Sequence, residues 1–232
     1  PEEIKSAEKS MSRYSFRQEF LASFEAQGSE LFKEEDVKFL EEEPDEGEFY
    51  VAIDLAGFTD VNKVKTKTRH LDESAISIVK VSTLGWWVAD IVHGRWGVED
   101  TARRIFEAVR DYKPISVGIE KGIAKNAVLP YITTLMKEKN RFFRIEELTH
   151  GNKKKVDRIV WALQGRFEHG KLSLAKGSWN ALFLDQLFQF PNPLVHDDLI
   201  DSLAYIDQLA EVAYNMDMEI DEFEPMDAYA GY

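Results

Sequence analysis

The chain has 232 residues, of which 44% are hydrophobic and 31% are charged, and it contains no cysteine. This length suits one sizeable hydrophobic core, and the lack of cysteine excludes a disulfide framework, a thiolate metal site and a cysteine nucleophile. No apolar run approaches the roughly 20 residues of a membrane-spanning helix, and no signal peptide is recognisable. We therefore expect a soluble intracellular protein with no membrane partner. Because the chain opens at Pro1 within a charged helical pattern, we also expect a piece of a longer protein.

The net charge of −13 is distributed unevenly along the chain. Residues 1–48 carry a net charge of −9 and residues 207–232 a net charge of −8, which leaves +4 for residues 49–206. A negative average argues against a nucleic-acid partner, because phosphate binding needs clustered Lys and Arg. Acidic ends are typically solvated segments, so the average does not exclude such a partner for the central part.

The N-terminal part has a helical pattern. Apolar residues at helical spacing predict helix over residues 1–43, including a short amphipathic stretch from Phe32 to Leu40. The run Glu41–Gly47 combines like charges with a proline and a glycine, which is typical of a linker. The predicted organisation is a helical linker segment over 1–47, a compact domain over 48–214 and an acidic C-terminal tail over 215–232.

From residue 48 onward, short apolar runs rich in β formers alternate with amphipathic helical patterns. The order is three strands, a helix, a strand, a helix, a strand and then helices. This order predicts an α/β fold in which helices flank a central mixed sheet. The second and third strands should form an antiparallel pair around Gly85. The predicted strands cover 49–54, 74–81, 86–92, 115–119 and 142–145, and the predicted helices cover 98–112, 125–139, 153–167, 179–190 and 197–214.

Acidic residues stand at the ends of two predicted strands and at the start of the last helix. Asp54 and Glu120 each close an apolar strand, where an unpaired buried carboxylate would be costly and where α/β sheets bind ligands. Asp197, Asp198 and Asp201 lie in or next to the first helical turn, and residues three apart share a helix face. Acids there are also favoured as caps and by the helix dipole, so a structural role stays open for each.

Carboxylates from separate elements are the hard oxygen ligands that Mg²⁺ and Mn²⁺ require. Two such ions about 4 Å apart can activate water and stabilise the leaving oxygen in phosphodiester cleavage. The lack of cysteine and the presence of only five histidines argue against zinc. The sequence therefore predicts a site for two Mg²⁺ or Mn²⁺ ions.

Three motifs resemble the nuclease domain of large terminase subunits from tailed bacteriophages, an RNase H-like fold close to the RuvC resolvase. They are Ile-Asp-Leu-Ala-Gly around Asp54, Gly-Ile-Glu-Lys-Gly around Glu120, and the run His-Asp-Asp-Leu-Ile-Asp-Ser-Leu-Ala that starts at His196. The resemblance spans roughly residues 11–213. Further matching pieces lie at residues 16–21, 155–159 and 187–191.

The resemblance implies an endonuclease that cuts concatemeric double-stranded DNA in the host cytoplasm. It implies a catalytic and metal-binding set of Asp54, Glu120 and a helix aspartate, for which Asp198 and Asp201 are jointly favoured. The role of His196 stays open. The implied partners are double-stranded DNA, an upstream terminase ATPase domain, the portal and the small terminase subunit. This chain has no phosphate-binding loop of the Gly-x-x-x-x-Gly-Lys-Ser/Thr type, so we do not expect it to hydrolyse ATP.

Two basic segments are candidates for DNA binding. The first has cations at every second residue, which a strand would project from one face toward a phosphate backbone; a solvated loop is the alternative. The second lies at the opening of a helix, where the dipole disfavours cations, so a partner is expected. The predicted DNA-binding residues are Lys63, Lys65, Lys67, Arg69, Lys153, Lys154, Lys155 and Arg158.

Two other functions fit the same residues. One is a junction resolvase or transposase-type nuclease of the same fold, which would make paired cuts. The other is a non-catalytic docking module of the packaging machine, whose acids bind only structural cations.

Overall fold

The structure, a computed structural model, describes residues 31–58, 73–149 and 154–210. These ranges form a mixed sheet with helices on both faces, so the predicted α/β class is confirmed. The strands are β1 (Lys38–Phe39), β2 (Glu48–Asp54), β3 (Ser74–Ser82), β4 (Gly85–Gly94), β5 (Ser116–Glu120), β6 (Ile145–Leu148) and β7 (Leu172–Leu174). The helices are α1 (Val98–Tyr112), α2 (Ile123–Glu138), α3 (Lys155–Glu168), α4 (Asn180–Gln189) and α5 (Asp198–Ala204).

The sheet has the strand order β1-β7-β4-β3-β2-β5-β6. Strands β2, β3 and β4 form an antiparallel meander, as predicted for the pair around Gly85. Strand β5 is parallel to β2, and β6 is parallel to β5. The carboxyl ends of β2, β5 and β6 therefore lie at one edge of the sheet.

The sheet is covered on both faces because its central strands are apolar on both sides. Along β2, Val51 and Ile53 belong to the core under α1 and α2. Ala52 belongs to the core on the other face, together with side chains of α3, α4 and α5. This alternation follows the period of two of a β-strand, and it positions α5 against the sheet beside the end of β2.

The prediction of an amphipathic helix from Phe32 to Leu40 is wrong. This stretch contains a short 3-10 turn, Glu34–Asp36, followed by β1, which pairs in parallel with β7. Leu31 and Phe32 are buried in the core. Val37 is partly buried against the same core, whereas Phe39 and Leu40 are exposed. The two short strands β1 and β7 are stabilised by pairing with residues distant in sequence. The domain limits stay a prediction.

Two further element bounds differ from the sequence-based expectation. The strand predicted over 142–145 lies at Ile145–Leu148, where Glu146 and Glu147 interrupt the apolar pattern because this is the edge strand of the sheet. The last helix, predicted over 197–214, is α5, followed by a turn at Tyr205 and helical residues 206–210. The predictions for residues 1–30 and 211–232 lie outside the described residues.

Among the described residues, no helix combines the length and the apolar character that crossing a bilayer would require.

Candidate functional site

Asp54 and Glu120 lie side by side at the carboxyl edge of the sheet. Strands β2 and β5 are parallel neighbours in which Ile53 pairs with Ile119, so the next residue on each strand is one of the two acids. Their carboxyl groups are hydrogen-bonded to each other. Since an ionised carboxylate only accepts hydrogen bonds, this contact needs a proton on one of the two groups. The two strand-end acids thus form a hydrogen-bonded pair.

The surroundings of Asp54 favour its protonated form. Burial is the largest cause, followed by the hydrogen bond with Glu120 and the negative charges of Asp201 and Glu120; together they raise the pKa of Asp54 well above its usual value. Lys155 acts in the opposite direction and lowers the pKa. The influence of Asp201 and Lys155 indicates that both charges lie in the neighbourhood of Asp54.

Helix α5 brings Asp201 to this edge. Leu199, Ile200 and Leu203 are fully buried and fix the apolar face of the helix. The hydroxyl groups of Ser77 on β3 and Ser202 on α5 are 2.7 Å apart and join the helix to the sheet. Asp201 on the same helix is only 3% exposed. Helix α5 thus brings a third, buried carboxylate into the neighbourhood of Asp54.

Two cations from α3 neutralise Asp201. Lys155 Nζ lies 2.9 Å from Asp201 Oδ2 and 2.7 Å from Asp197 Oδ1. Arg158 Nη2 lies 2.5 Å from Asp201 Oδ1, and its guanidinium carbon lies 4.1 Å from the centroid of the Tyr205 ring. Lys155 and Arg158 are three residues apart on one face of α3, so both reach the same carboxylate.

Lys155 keeps its positive charge in this position. Burial alone would lower the pKa of Lys155, but the charges and hydrogen bonds of Asp201 and Asp197 outweigh it, and the pKa of the ammonium group is raised. Asp197 occupies the N-cap position of α5 without a capping hydrogen bond from its side chain. It binds Lys155 instead, so the capping role considered for Asp197 does not account for it.

Asp198 has different surroundings from Asp201. Its Oδ2 accepts a hydrogen bond of 2.9 Å from the backbone N–H of Glu73, just before β3, and lies 3.6 Å from Nδ1 of His196. The carboxylate of Glu73 in turn lies 2.9 Å from Nδ1 of His93. The two aspartates that the resemblance favours jointly therefore point to different neighbours: Asp201 faces Asp54, whereas Asp198 anchors the start of β3.

The donor chemistry of Asp54, Glu120 and Asp201 fits a hard divalent cation, since all three offer carboxylate oxygens from separate elements. In the part of the chain that the structure describes, however, no group of three or more His, Asp or Glu side chains is arranged closely enough to hold a metal ion. The physical reason is that Asp201 is paired with Lys155 and Arg158. The donor set fits, but the ligands are not preassembled.

The predicted DNA-binding residues are placed only in part. Lys154 is exposed at the start of α3, and Lys155 and Arg158 lie at the acidic site. Arg158 is 7% exposed, so its guanidinium does not face a solvent-side phosphate. The remaining predicted residues, Lys63, Lys65, Lys67, Arg69 and Lys153, lie outside the described residues.

Sequence reasoning missed Glu73, His93 and Tyr205 at this site. Tyr205 was detectable in principle, because it follows Asp201 by four residues on the same helix face. No local pattern distinguishes Glu73 or His93, since the backbone N–H of Glu73 bonds Asp198 on a distant helix and His93 on β4 contacts the Glu73 carboxylate.

The comparisons with known proteins agree with this fold. The sequence matches the family described as "Terminase RNaseH-like domain" over residues 51–207. This match covers more than half of the chain, and the chain belongs to this terminase family. The RNase H-like fold expected from the motifs is confirmed. A search of curated proteins gave no significant match.

Solved structures with the same fold include two viral proteins. The large terminase of a thermophilic bacteriophage matches with a TM-score of 0.51 and 8% identity, over 76% of this chain and 42% of the phage protein. The human cytomegalovirus terminase nuclease domain matches with a TM-score of 0.51 and 12% identity, over 73% of this chain and 87% of that domain. A second structure of the same phage terminase, in complex with ATP-gamma-S, has a TM-score of 0.50 and 10% identity, over 76% and 43% of the two chains. This chain therefore spans less than half the length of the phage terminase.

Proposed function

We propose that this chain is the endonuclease domain of a viral DNA-packaging terminase and that it cuts concatemeric double-stranded DNA with two divalent metal ions. The observation that supports this most strongly is the pairing of Asp54 and Glu120 at the carboxyl ends of β2 and β5, with the charge of Asp201 on α5 near enough to act on Asp54. The carboxyl ends of strands are where α/β sheets bind ligands. The membership of the terminase family agrees with this chemistry.

Each acid has a distinct role in the proposal. Asp54, Glu120 and a helix aspartate would hold the two Mg²⁺ or Mn²⁺ ions, and the ion held by Glu120 would supply the activation of water. When bound, such ions lower the pKa of water and stabilise the leaving oxygen. Asp201 is the helix aspartate that faces Asp54, and Asp198 is a second ligand from the same helix. Arg158 pairs with Asp201 from the buried side and holds its carboxylate in position.

The basic segments position the duplex through its phosphates without reading sequence. We assign this role to Lys63, Lys65, Lys67 and Arg69, and to the cluster from Lys153 to Lys155. Because Arg158 is buried against Tyr205, we assign it to the acidic site and not to DNA.

The partners follow from the same proposal. The large terminase of the thermophilic phage was solved with ATP-gamma-S. The match with this chain covers less than half of the length of that terminase. We therefore propose that an ATPase domain precedes this domain in the full protein. Double-stranded DNA, the portal and the small terminase subunit are the remaining proposed partners, in the cytoplasm of a host infected by a phage.

A plasmid-cleavage assay tests the proposal. The chain is incubated with supercoiled plasmid at low salt with Mn²⁺, Mg²⁺ or EDTA, beside Asp54→Ala and the control Asp185→Ala. Asp185 is an exposed acid that hydrogen-bonds Gln189 on its own helix. We expect metal-dependent nicking and linearisation by the parent chain and by Asp185→Ala, and a loss of at least about 100-fold for Asp54→Ala.

Two results would contradict the proposal. Full activity of correctly folded Asp54→Ala would remove the acidic site from the chemistry. An intact plasmid after prolonged incubation with Mn²⁺ would favour a docking module. Cleavage of linear duplex by monomeric protein distinguishes a terminase nuclease from a junction resolvase, which makes paired cuts as a symmetric dimer.

A further inference from the structure

The two cations that neutralise Asp201 differ in how firmly they are held. The Arg158 side chain is 7% exposed and lies over the ring of Tyr205. The Lys155 side chain is 42% exposed and reaches both Asp197 and Asp201 from the solvent side. One cation is thus part of the core, whereas the other lies at the boundary between the site and water.

This difference has a physical consequence for which cation can leave. A planar guanidinium stacked on an aromatic ring is held by packing as well as by charge. A lysine ammonium is a strongly hydrated charge on a flexible stem, so it can return to water without disturbing the core. Arg158 is therefore a permanent neighbour of Asp201, and Lys155 is exchangeable.

The acidic site also needs a counter-charge whenever it is metal-free. Asp201 is almost fully buried, and removing the partner of a buried charge costs several kcal/mol. Lys155 and Arg158 supply that counter-charge from within the chain. The Lys155 ammonium lies 2.9 Å from Asp201 Oδ2. A divalent ion that binds this oxygen therefore has to displace the ammonium group.

We propose that Lys155 is a positioning residue that competes with the divalent metal ion for Asp201. Its ammonium group holds Asp201 and Asp197 in place while the site is metal-free and moves to solvent when an ion binds. The competition lowers the affinity of the site for the metal, because an ion gains Asp201 only by displacing a cation. This inference rests on the proposed function, since it requires Asp201 to be a metal ligand.

The test is a Mn²⁺ titration of the full chain without DNA, in which free Mn²⁺ is measured by its electron paramagnetic resonance signal. The variants are Lys155→Gln, Lys155→Arg and the matched control Lys154→Gln, which removes the same charge from the neighbouring exposed residue. We expect Lys155→Gln to bind Mn²⁺ about ten times more tightly than the parent chain, which is the size of effect that a neighbouring charge has on an acidic site. Lys154→Gln should bind as the parent chain does.

Lys155→Arg keeps the proposal testable if the neutral variant folds poorly. Arginine binds carboxylates through a two-pronged contact and is harder to displace, so this variant should bind Mn²⁺ no more tightly than the parent chain. Circular dichroism and thermal melting without metal establish that each variant is folded. A lower melting temperature for folded Lys155→Gln without metal, recovered by Mn²⁺, is the second expected result.

The outcomes separate this inference from the proposed function. Equal or weaker Mn²⁺ binding by Lys155→Gln relative to Lys154→Gln would overturn the competition while leaving the metal site intact. Tighter binding by Lys155→Arg would overturn it as well. If neither the parent chain nor any variant binds Mn²⁺, the proposed metal site itself is wrong, and the competition is wrong with it.

Discussion

An almost completely buried carboxylate needs oppositely charged neighbours, and for Asp201 these are Lys155 and Arg158 on α3. Arg158 is the buried member of the pair, and its side chain is shielded from water by Tyr205. Because both partners are desolvated, removing either one leaves the other buried and unpaired, and this lowers the stability of the protein strongly. The intact ion pair, in contrast, stabilises the protein little more than two apolar side chains would.

Arg158→Met should destabilise the metal-free protein by about 3 kcal/mol, because it leaves Asp201 without its buried partner. Adding Asp201→Asn should recover much of this loss, since the unpaired charge is then gone. Urea denaturation of the two single variants and the double variant measures the coupling. Additive effects would mean that Arg158 stabilises the fold by packing on Tyr205 and not through Asp201.

The surroundings of Asp54 have the opposite effect, because they favour the protonated form of its carboxyl group. Burial, the hydrogen bond with Glu120 and the neighbouring charges raise the pKa of Asp54. The folded protein therefore binds this proton more tightly than the unfolded chain does. Stability from this group is present at low pH and is lost as the pH rises through the folded pKa.

Asp54→Asn should therefore stabilise the metal-free protein at pH 8, by on the order of 1 kcal/mol, since the amide cannot ionise and can donate a hydrogen bond to Glu120. The difference from the parent chain should shrink as the pH falls toward 4. Urea denaturation in EDTA at several pH values measures it, with Asp185→Asn as the control. A difference that does not change with pH would show that the proton on Asp54 is not responsible.

The placement of these acids depends on how β5 packs between its neighbours. Gly118 lies two residues before Glu120 on β5, and a Cβ atom there would lie 2.7 Å from Leu148 Cδ2. Leu148 is 2% exposed at the end of β6 and is paired with Glu120. The glycine therefore allows β6 to support the end of the strand that carries Glu120.

Gly118→Ala should destabilise the protein by about 1 to 3 kcal/mol, because the new methyl group overlaps a buried leucine that has no room to move. Leu148→Ala should cost less stability in the Gly118→Ala background than in the parent chain, since it removes the three side-chain carbons that the new methyl group would overlap. Thermal melting of the four chains gives the coupling. Equal costs in both backgrounds would contradict direct contact between these two side chains.

The position of each strand-end acid was predictable, but the neighbours of the helix acids were not. Asp54 and Glu120 follow apolar runs that end near glycines, which are local features of the sequence. The pairing of Lys155 with Asp201 joins residues from two helices, and no local pattern contains it. The sequence instead predicts that the basic cluster containing Lys155 binds DNA. This prediction arises because clustered cations with no counter-charge nearby in the sequence favour a partner.

Short strands were missed for a related reason. Strands β1 and β7 have two and three residues, too few to establish a period of two, and they form because each pairs with a strand distant in sequence. The predicted fold class is nevertheless correct, because that prediction depends on the longer, strongly apolar elements. In contrast, the adjacency of β2 and β5 could not be derived from residue patterns, since strand order is set by packing across the whole sheet.

The net charge of the whole molecule is negative, as is that of DNA, its proposed substrate. The chain carries a net charge of −13, while residues 49–206 are net positive. Residues 215–232 contain six acidic and no basic residues. Because like charges repel over distances comparable to the Debye length, about 10 Å at 0.1 M salt, these acids should weaken the association of the domain with DNA.

A chain that ends at residue 214 should therefore bind duplex DNA several-fold more tightly than the full chain at low salt, with the two affinities converging as salt is added. Fluorescence anisotropy with a labelled duplex, in EDTA to prevent cleavage, measures both affinities. A variant of the full chain whose six tail acids are replaced by Asn and Gln separates charge from length and should behave as the shortened chain does. If the neutral tail binds DNA as weakly as the acidic one, the tail acts by its bulk, and electrostatic repulsion is not the cause.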